Sequence, residues 1–315
     1  MTSVFVDNLS YSLGDITNTV EEAVKAGLTL SEASSLREAG FSFHHRCSPE
    51  KNSYDLAKDC VEKIRTNLGD VGALIYSTCI PANAAITNNR FVHSRDIKDL
   101  MDFPASHLQQ EFDLARASIL GLSQQACTGM LGSLRLARSL LLTETDVQRV
   151  LCISSDRFPE GAIYEQSYNL ISDGAAACIV SMEPHGYRLM ASHAMTNGSL
   201  ATASDDEAVG TFFNYAHHVI LETLRKAALT MQEIHHVAAQ NMNPSAWKIL
   251  ARLLQYDYNR VHSPTLAEIG HLISGDNIIN LKHLEDSGLL QAGDRILLFM
   301  AGYGLNWQCV ILEKV

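Results

Sequence analysis

Short apolar, β-branched runs alternate with longer helical patterns along this chain, and that alternation constrains the fold more than any other feature. The runs Ala73–Tyr76, Val150–Ser154, Ala176–Val180, Val237–Ala239 and Ile296–Met300 have the length and near-continuous hydrophobicity of strands buried on both faces. Between them, 52–68, 106–120, 128–142, 212–230, 244–255 and 275–289 carry helical patterns. The pattern predicts an α/β protein in which helices cover buried strands. With 315 residues, 46% of them hydrophobic, the chain can bury a substantial core in one large domain or two fused ones.

Charge and cysteine usage narrow the functional classes. The net charge is −11 and no lysine- or arginine-rich run occurs, which argues against nucleic acid or an anionic membrane as a partner. No uncharged apolar stretch is long enough to span a bilayer. Seven cysteines, at 47, 60, 79, 127, 152, 178 and 309, include no Cys-x-x-Cys pair. With a strand-like rather than leader-like start, this predicts free thiols in a reducing cytoplasm. Thirteen histidines include the pairs His44-His45, His217-His218 and His235-His236, none with metal-ligand spacing. No metal site is expected.

Cys127 directly precedes the segment 128–142, which is apolar around most of its circumference and reads as a buried helix. A thiol at a helix N-terminus faces unpaired N–H groups and the positive end of the dipole, which favour thiolate. The same N–H groups can stabilise the oxyanion formed when a thioester is attacked. Two glycines near the start of the segment are expected to let other backbone approach closely.

The stretch Gln124-Gln-Ala-Cys127-Thr-Gly-Met resembles the nucleophile segment of the ketoacyl-acyl-carrier-protein synthase III family, in the thiolase superfamily. Leu170-Ile-Ser-Asp-Gly-Ala-Ala-Ala-Cys-Ile-Val180 is similar to that family's Gly-Asp-Gly-Ala-Gly-Ala strand, and the stretch from Gly293 to Trp307 to its closing strand and glycine-rich loop. The resemblance implies a thiolase-type layered fold, α-β-α-β-α, of two similar halves, each with a mixed β-sheet covered by helices. The halves are placed at 1–183, with the nucleophile, and 184–315, with the remaining polar site residues. The Pro-, Gly- and Ser-containing segment 184–211 is read as the crossing between them.

The resemblance also implies site residues, and here the chain departs from the family. Gln240, in Gln240-Asn-Met-Asn243, stands where the family has a histidine. His271, in Gly270-His271-Leu-Ile-Ser, stands where it has an asparagine. The implied catalytic set is Cys127, His271 and Gln240, with His271 able to exchange a proton near neutrality and Gln240 a neutral helper. The oxyanion hole falls to the N–H groups of Cys127 and Tyr303, and Asn243, Ala301, Gly302 and Gly304 line the pocket. Ala301 replaces a bulky phenylalanine, which enlarges the site.

The implied function is a condensing enzyme of specialised metabolism. An acyl group on Cys127 would be joined to a carbon nucleophile released from a decarboxylated β-keto acid or malonyl thioester. One alternative is acyl transfer to an amine or hydroxyl with His271 as base. Another is a catalytically silent partner in a heterodimer. No resident cofactor is implied; coenzyme A or acyl carrier protein phosphopantetheine would carry the substrate, and a dimer is expected, as homodimer or heterodimer. The nucleotide-binding tryptophan of the family has no counterpart near Leu36–His45, where only Arg37 is in reach of the pattern, which tilts the donor toward an acyl carrier protein.

Overall fold

In the computed structural model, residues 3–86, 90–166, 169–202, 205–303 and 305–315 are described. The strands are β1 (Phe5–Leu13), β2 (Ile16–Thr19), β3 (Phe43–Arg46), β4 (Ala73–Ser77), β5 (Ser118–Leu122), β6 (Arg149–Asp156) and β7 (Glu165–Gln166). They continue as β8 (Asn169–Leu170), β9 (Gly174–Ser181), β10 (Tyr187–Thr196), β11 (His236–Ala238), β12 (Val261–His262), β13 (Arg295–Gly302) and β14 (Asn306–Lys314). Ten of them form one sheet in the order β12-β11-β13-β14-β10-β1-β9-β6-β4-β5. β2 with β3 and β7 with β8 make two small ribbons.

Cut between β1 and β10, the large sheet falls into two fives with the same internal plan. In each, the third strand pairs with the second, then come the fourth, the fifth and the first. β4 is parallel to β5 and β6, just as β11 is parallel to β12 and β13; the remaining pairings are antiparallel in both. The fives meet edge to edge through only two pairs, Phe5 with Arg188 and Val6 with Tyr187. The duplication is absent at residue level because the chain repeats the order and sense of its elements, not its side chains.

Helices repeat with the strands. Gly129–Thr143 and Asp276–Asp286 each lie between the third and fourth strands of their half. They pack in a common core with the inner faces of both fives, Ile75, Val150, Ala176, Leu298 and Val310 among them. The outer faces are covered separately, by Ser53–Glu62 and Pro104–Glu111 in the first half. Asp205–Ala227 and Pro244–Leu253 do the same in the second. The layering is therefore helix, sheet, helix, sheet, helix, as the resemblance implies. No helix among the described residues is long and apolar enough to cross a membrane.

Three departures from the sequence reading have physical causes. The pattern over 106–120 ends as a helix at Glu111, and Ser118–Leu122 is strand β5 at the sheet's edge. That strand is partly exposed and lacks the continuous hydrophobicity of its neighbours. The supposed crossing 184–211 contains β10, whose buried Tyr187, Leu189 and Ala191 alternate with less buried residues. The two glycines of the central helix receive side chains rather than backbone: an added Cβ on Gly129 would meet Ser77 and Ser274, and on Gly132 the amide of Gln125.

A buried carboxylate ties the first half together below the sheet. Asp173 is fully buried and accepts hydrogen bonds from Cys47 N at 2.8 Å, Phe158 N at 2.8 Å and the Tyr164 hydroxyl at 2.9 Å. Replacing it with alanine would strand three buried donors, each costing roughly 1 kcal/mol or more. Asp173→Ala should therefore lower unfolding free energy by about 2–4 kcal/mol in urea titration; a loss under about 1 kcal/mol would show that water replaces the carboxylate.

Candidate active site

The duplicated plan brings the starts of the two central helices together. The one-turn segment Ala126–Thr128, ahead of Gly129–Thr143, packs on Ile273–Gly275, ahead of Asp276–Asp286. Ser274 Oγ donates to Ala126 O at 3.3 Å across this junction. Cys127 lies in the first turn and His271 two residues before the second. Backbone strain marks both: Ala126 has φ of 45° and Ile273 φ of 46°, left-handed values that non-glycine residues avoid. Gly270, at φ of 74°, takes the same region without a side chain to strain.

His271 is held by a carboxylate that sequence reading missed. Its Nδ1 lies 2.6 Å from Oδ2 of Asp276, and both side chains are buried. Asp276 also accepts from Asn241 N at 2.7 Å and Leu272 N at 2.6 Å. The Cys127 sulfur is near enough to the imidazole to favour its charged form. Burial works against a charged imidazole here, but Asp276 and the Cys127 sulfur overcome it and raise His271 to about 10. Burial pushes Asp276 up, while His271 and the two backbone N–H groups pull it back toward the carboxylate form.

Cys127 is half-buried and faces a second thiol, that of Cys79, at the end of β4. The neighbouring Cys79 thiol, together with His271 and the N–H of Tyr303, holds Cys127 well below the usual thiol range against the cost of burial. Cys79 goes the other way: lying near an anionic sulfur, and being buried, it keeps its proton. The result is a thiolate–imidazolium pair backed by a carboxylate.

The expected oxyanion donors flank the sulfur. Gly302 packs so tightly on the nucleophile that an added Cβ would lie 2.7 Å from Cys127 N. This close approach brings the next residue's N–H, that of Tyr303, to the sulfur. Tyr303 is absent from the left-handed φ region among the described residues, so a tyrosine serves where the family has glycine. Its side chain turns outward, 63% exposed. Gly304 lies outside the described residues.

Gln240 is in the site but its amide is occupied. Its Nε2 donates to Ala301 O at 3.1 Å and its Oε1 accepts from Ala301 N at 3.0 Å, so the side chain clamps β13 near the cavity. Asn243 caps the helix Pro244–Leu253 by accepting from Ser245 N at 2.9 Å. Arg37 is paired in a fork with the Glu21 carboxylate and does not reach toward the site.

These groups open onto a cavity of about 650 Å³ lined by Cys127, His271, Gln240, Asn243, Ala301 and Gly302 together with Cys79. Its remaining wall is largely apolar, with Ile80, Phe158, Ile163, Phe212, Phe213 and Met242. Among the described residues no lysine, arginine or carboxylate lines it. A cavity of this size and lining suits an acyl chain larger than acetyl.

Asp276 and Cys79 carried weak sequence signals. Asp276 follows His271 by five residues and opens a helix, a position from which a carboxylate can reach back to the residues before it. Cys79 stands just past the carboxyl end of a buried parallel strand, where α/β folds place ligand sites.

Comparison with known proteins agrees with this architecture. Residues 123–198 match the family model of 3-oxoacyl-[acyl-carrier-protein] synthase III, and 224–314 match the model of its C-terminal part. A β-ketoacyl-[acyl-carrier-protein] synthase III of Chlamydia caviae is 25% identical over 219 residues, covering 60% of this chain and 65% of that protein. The Chlamydia trachomatis serovar D counterpart is 26% identical over 223 residues, covering 60% and 66%. The chain thus matches just under two thirds of the length of these relatives. Among solved structures, the Pseudomonas aeruginosa synthase III FabH superposes with a TM-score of 0.81 at 20% identity, covering 99% of this chain and 98% of FabH. The acyltransferase ChlB3 gives 0.83 at 19%, covering 99% and 98%. Xanthomonas campestris OleA, solved with lauric acid and lauroyl-CoA, gives 0.80 at 14%, covering 99% and 99%. At these identities the superpositions establish a shared fold.

The electrostatics of the pair yield a pH test. Because His271 is raised and Cys127 lowered, the ion pair persists across neutral pH; it is lost in alkali as His271 gives up its proton near pH 10. On the acid side it is lost as Cys127 takes one up. Iodoacetamide should therefore label Cys127 at a rate nearly flat from about pH 6 to 9, whereas His271→Ala should make the rate climb with pH and fall on the order of tenfold or more near pH 6. Parallel profiles for the two proteins would remove the ion pair.

Proposed function

The chain belongs to the 3-oxoacyl-[acyl-carrier-protein] synthase III family, and from that premise we propose an acyltransferase that charges Cys127 and passes the acyl group to a heteroatom. The observation that carries this reading is the buried His271–Asp276 bond, with the imidazole's other nitrogen available to Cys127. Sequence alone favours a carbon nucleophile, because Gln240 and His271 can be read as two donors for an enolate. Two features favour the heteroatom. One N–H and the oxygen of the Gln240 amide are engaged by Ala301, and the carboxylate behind His271 makes it a base rather than a passive donor.

The proton then cycles within the site. The Cys127 thiolate attacks the carbonyl carbon of a carrier thioester, and the oxyanion forms between the N–H groups of Cys127 and Tyr303. Collapse breaks the carbon–sulfur bond to the carrier, whose departing thiolate takes the proton from His271. In the acyl-enzyme the sulfur is no longer anionic, so His271 is left neutral with its lone pair toward the acyl carbon. It removes the proton of an incoming hydroxyl, amine or thiol as that atom attacks. The second collapse restores the Cys127 thiolate and the charged imidazole. Asp276 fixes the ring and its tautomer throughout without itself taking the proton.

The donor is an acyl thioester of acyl carrier protein or coenzyme A. The cavity's volume and apolar wall suit a bulky or extended acyl group, which supports a role in specialised metabolism over the priming of fatty acids with acetyl units.

Intact-mass analysis after incubation with a panel of acyl-carrier and acyl-CoA thioesters should reveal an adduct that Cys127→Ala abolishes. Alcohols, amines or thiols should discharge it, and Asp276→Asn should slow that discharge on the order of 10²-fold, while Gln240→Ala slows it by less than about tenfold. Discharge by malonyl thioester with loss of carbon dioxide, and by no heteroatom acceptor, would return the function to carbon–carbon condensation.

A second expectation concerns the oxyanion hole. Gly302→Ala should displace the strand end carrying Tyr303 and cut the rate of acyl loading on the order of 10²-fold, as losing one oxyanion donor does. Iodoacetamide labelling of Cys127 passes through no such oxyanion and should change far less. An equal loss in both rates would mean that the substitution disturbs the nucleophile instead.

A further inference from the structure

We propose that Cys79 and Cys127 form a reversible disulfide when the site meets a peroxide, making the pair a modification site that protects and silences the nucleophile. The two thiols line the same cavity, and each sulfur is near enough to shift the other's acidity. Of the seven cysteines these two alone are only partly buried; Cys47, Cys60, Cys152, Cys178 and Cys309 are enclosed. Both partners therefore face the reagent, and the remaining thiols do not compete.

Cys79 is held in place by its own backbone. Asp156, buried at the end of β6, accepts from Cys79 N at 2.9 Å, Ile80 N at 3.0 Å and the Thr78 hydroxyl at 2.5 Å, while Asn83 Nδ2 approaches it at 3.3 Å. The turn after β4 is thus clamped at the cavity wall that it shares with Cys127. An ionised, accessible sulfur beside a resolving thiol is the arrangement that redox-sensitive sites share.

The chemistry balances with a hydroperoxide as oxidant. The Cys127 thiolate attacks a peroxide oxygen; the O–O bond breaks, an S–O bond forms, and the released hydroxide or alkoxide takes the proton of His271. Sulfur loses two electrons and the peroxide gains them. Cys79 then attacks the Cys127 sulfenic sulfur, giving its proton to the now neutral His271. The S–S bond forms as the S–O bond breaks, and the hydroxide leaves as water with that proton. A small dithiol reverses the linkage by exchange.

The test uses the full chain without any acyl donor, so its outcome is separate from that of the acyl-transfer reading. After mild hydrogen peroxide, wild-type protein should lose two hydrogens and yield a Cys79–Cys127 linked peptide in a non-reducing map. Iodoacetamide labelling of Cys127 should vanish and return fully with dithiothreitol. In Cys79→Ser the linkage is impossible, so Cys127 should take up two oxygens as sulfinic acid and labelling should not return. Wild-type protein going to sulfinic acid without the linked peptide would overturn the proposal, as would a link joining any other pair; the wild-type map decides this whether or not the variant folds.

Discussion

A carboxylate removed from water governs the site. Asp276 is fully buried, a placement that costs several kcal/mol unless the charge is answered. It is answered by two backbone N–H groups and by the imidazole of His271. Each of these donors is then fixed in turn. Asn241, which supplies one N–H, spends its side chain on Thr265 and on Gly270 O, at 2.8 and 2.7 Å. Asn280 reaches back to Asn241 and Ala239, completing a buried polar net beneath His271. A fully satisfied net of this kind specifies one geometry, because any shift leaves a buried group unpaired. The imidazole is therefore oriented before any substrate arrives.

The duplicated fold explains why the two halves of the chemistry meet. Each half places a buried helix between its third and fourth strands, and the starts of these helices abut. One start carries Cys127 and the other carries Asp276 with His271 just before it. The joining is not free of strain, since Ala126 and Ile273 sit in a backbone region costing roughly 1–3 kcal/mol each. Packing sustains it: Gly302 closes on Cys127 N and Gly129 lies against Ser77 and Ser274. The strained residues are those that aim the sulfur and shape the cavity wall behind the imidazole.

Cys127 and His271 could be singled out in the sequence because both sit in glycine-marked stretches, Ala126-Cys-Thr-Gly129 and Gly270-His271. The buried strands β4, β6, β9 and β13 were legible because burial on both faces demands continuous hydrophobicity. Edge strands β5 and β10 were obscured, since one is partly exposed and the other alternates within a Gly- and Pro-containing stretch. Asp276 was hidden by its neighbours: its role depends on the turn at Gly270 and Ile273 folding the chain back on itself, and an isoleucine at positive φ gives no sign of the second bend. Cys79 belongs to the opposite sheet position from Cys127, 48 residues earlier in sequence, so only the parallel register of β4 with β5 and β6 brings it to the nucleophile. For Gln240 the sequence supplied the location and the structure supplied the engagement of its amide with Ala301.

Charge bears on the proposed choice of acceptor. With Cys127 lowered and His271 raised, the resting site holds a thiolate–imidazolium pair beside the Asp276 carboxyl group. No lysine or arginine lines the cavity among the described residues to offset a further anion. A malonyl group brings a carboxylate into this space, beside apolar Phe158, Phe212 and Phe213, where an uncompensated charge is costly. Once Cys127 is acylated its charge is gone, and the His271–Asp276 pair is left with one exchangeable proton and a net demand for another. A neutral hydroxyl, amine or thiol supplies that proton and adds no charge of its own. Among the described residues, the lack of a cationic wall and the carboxylate behind the histidine both support the proposed heteroatom acceptor.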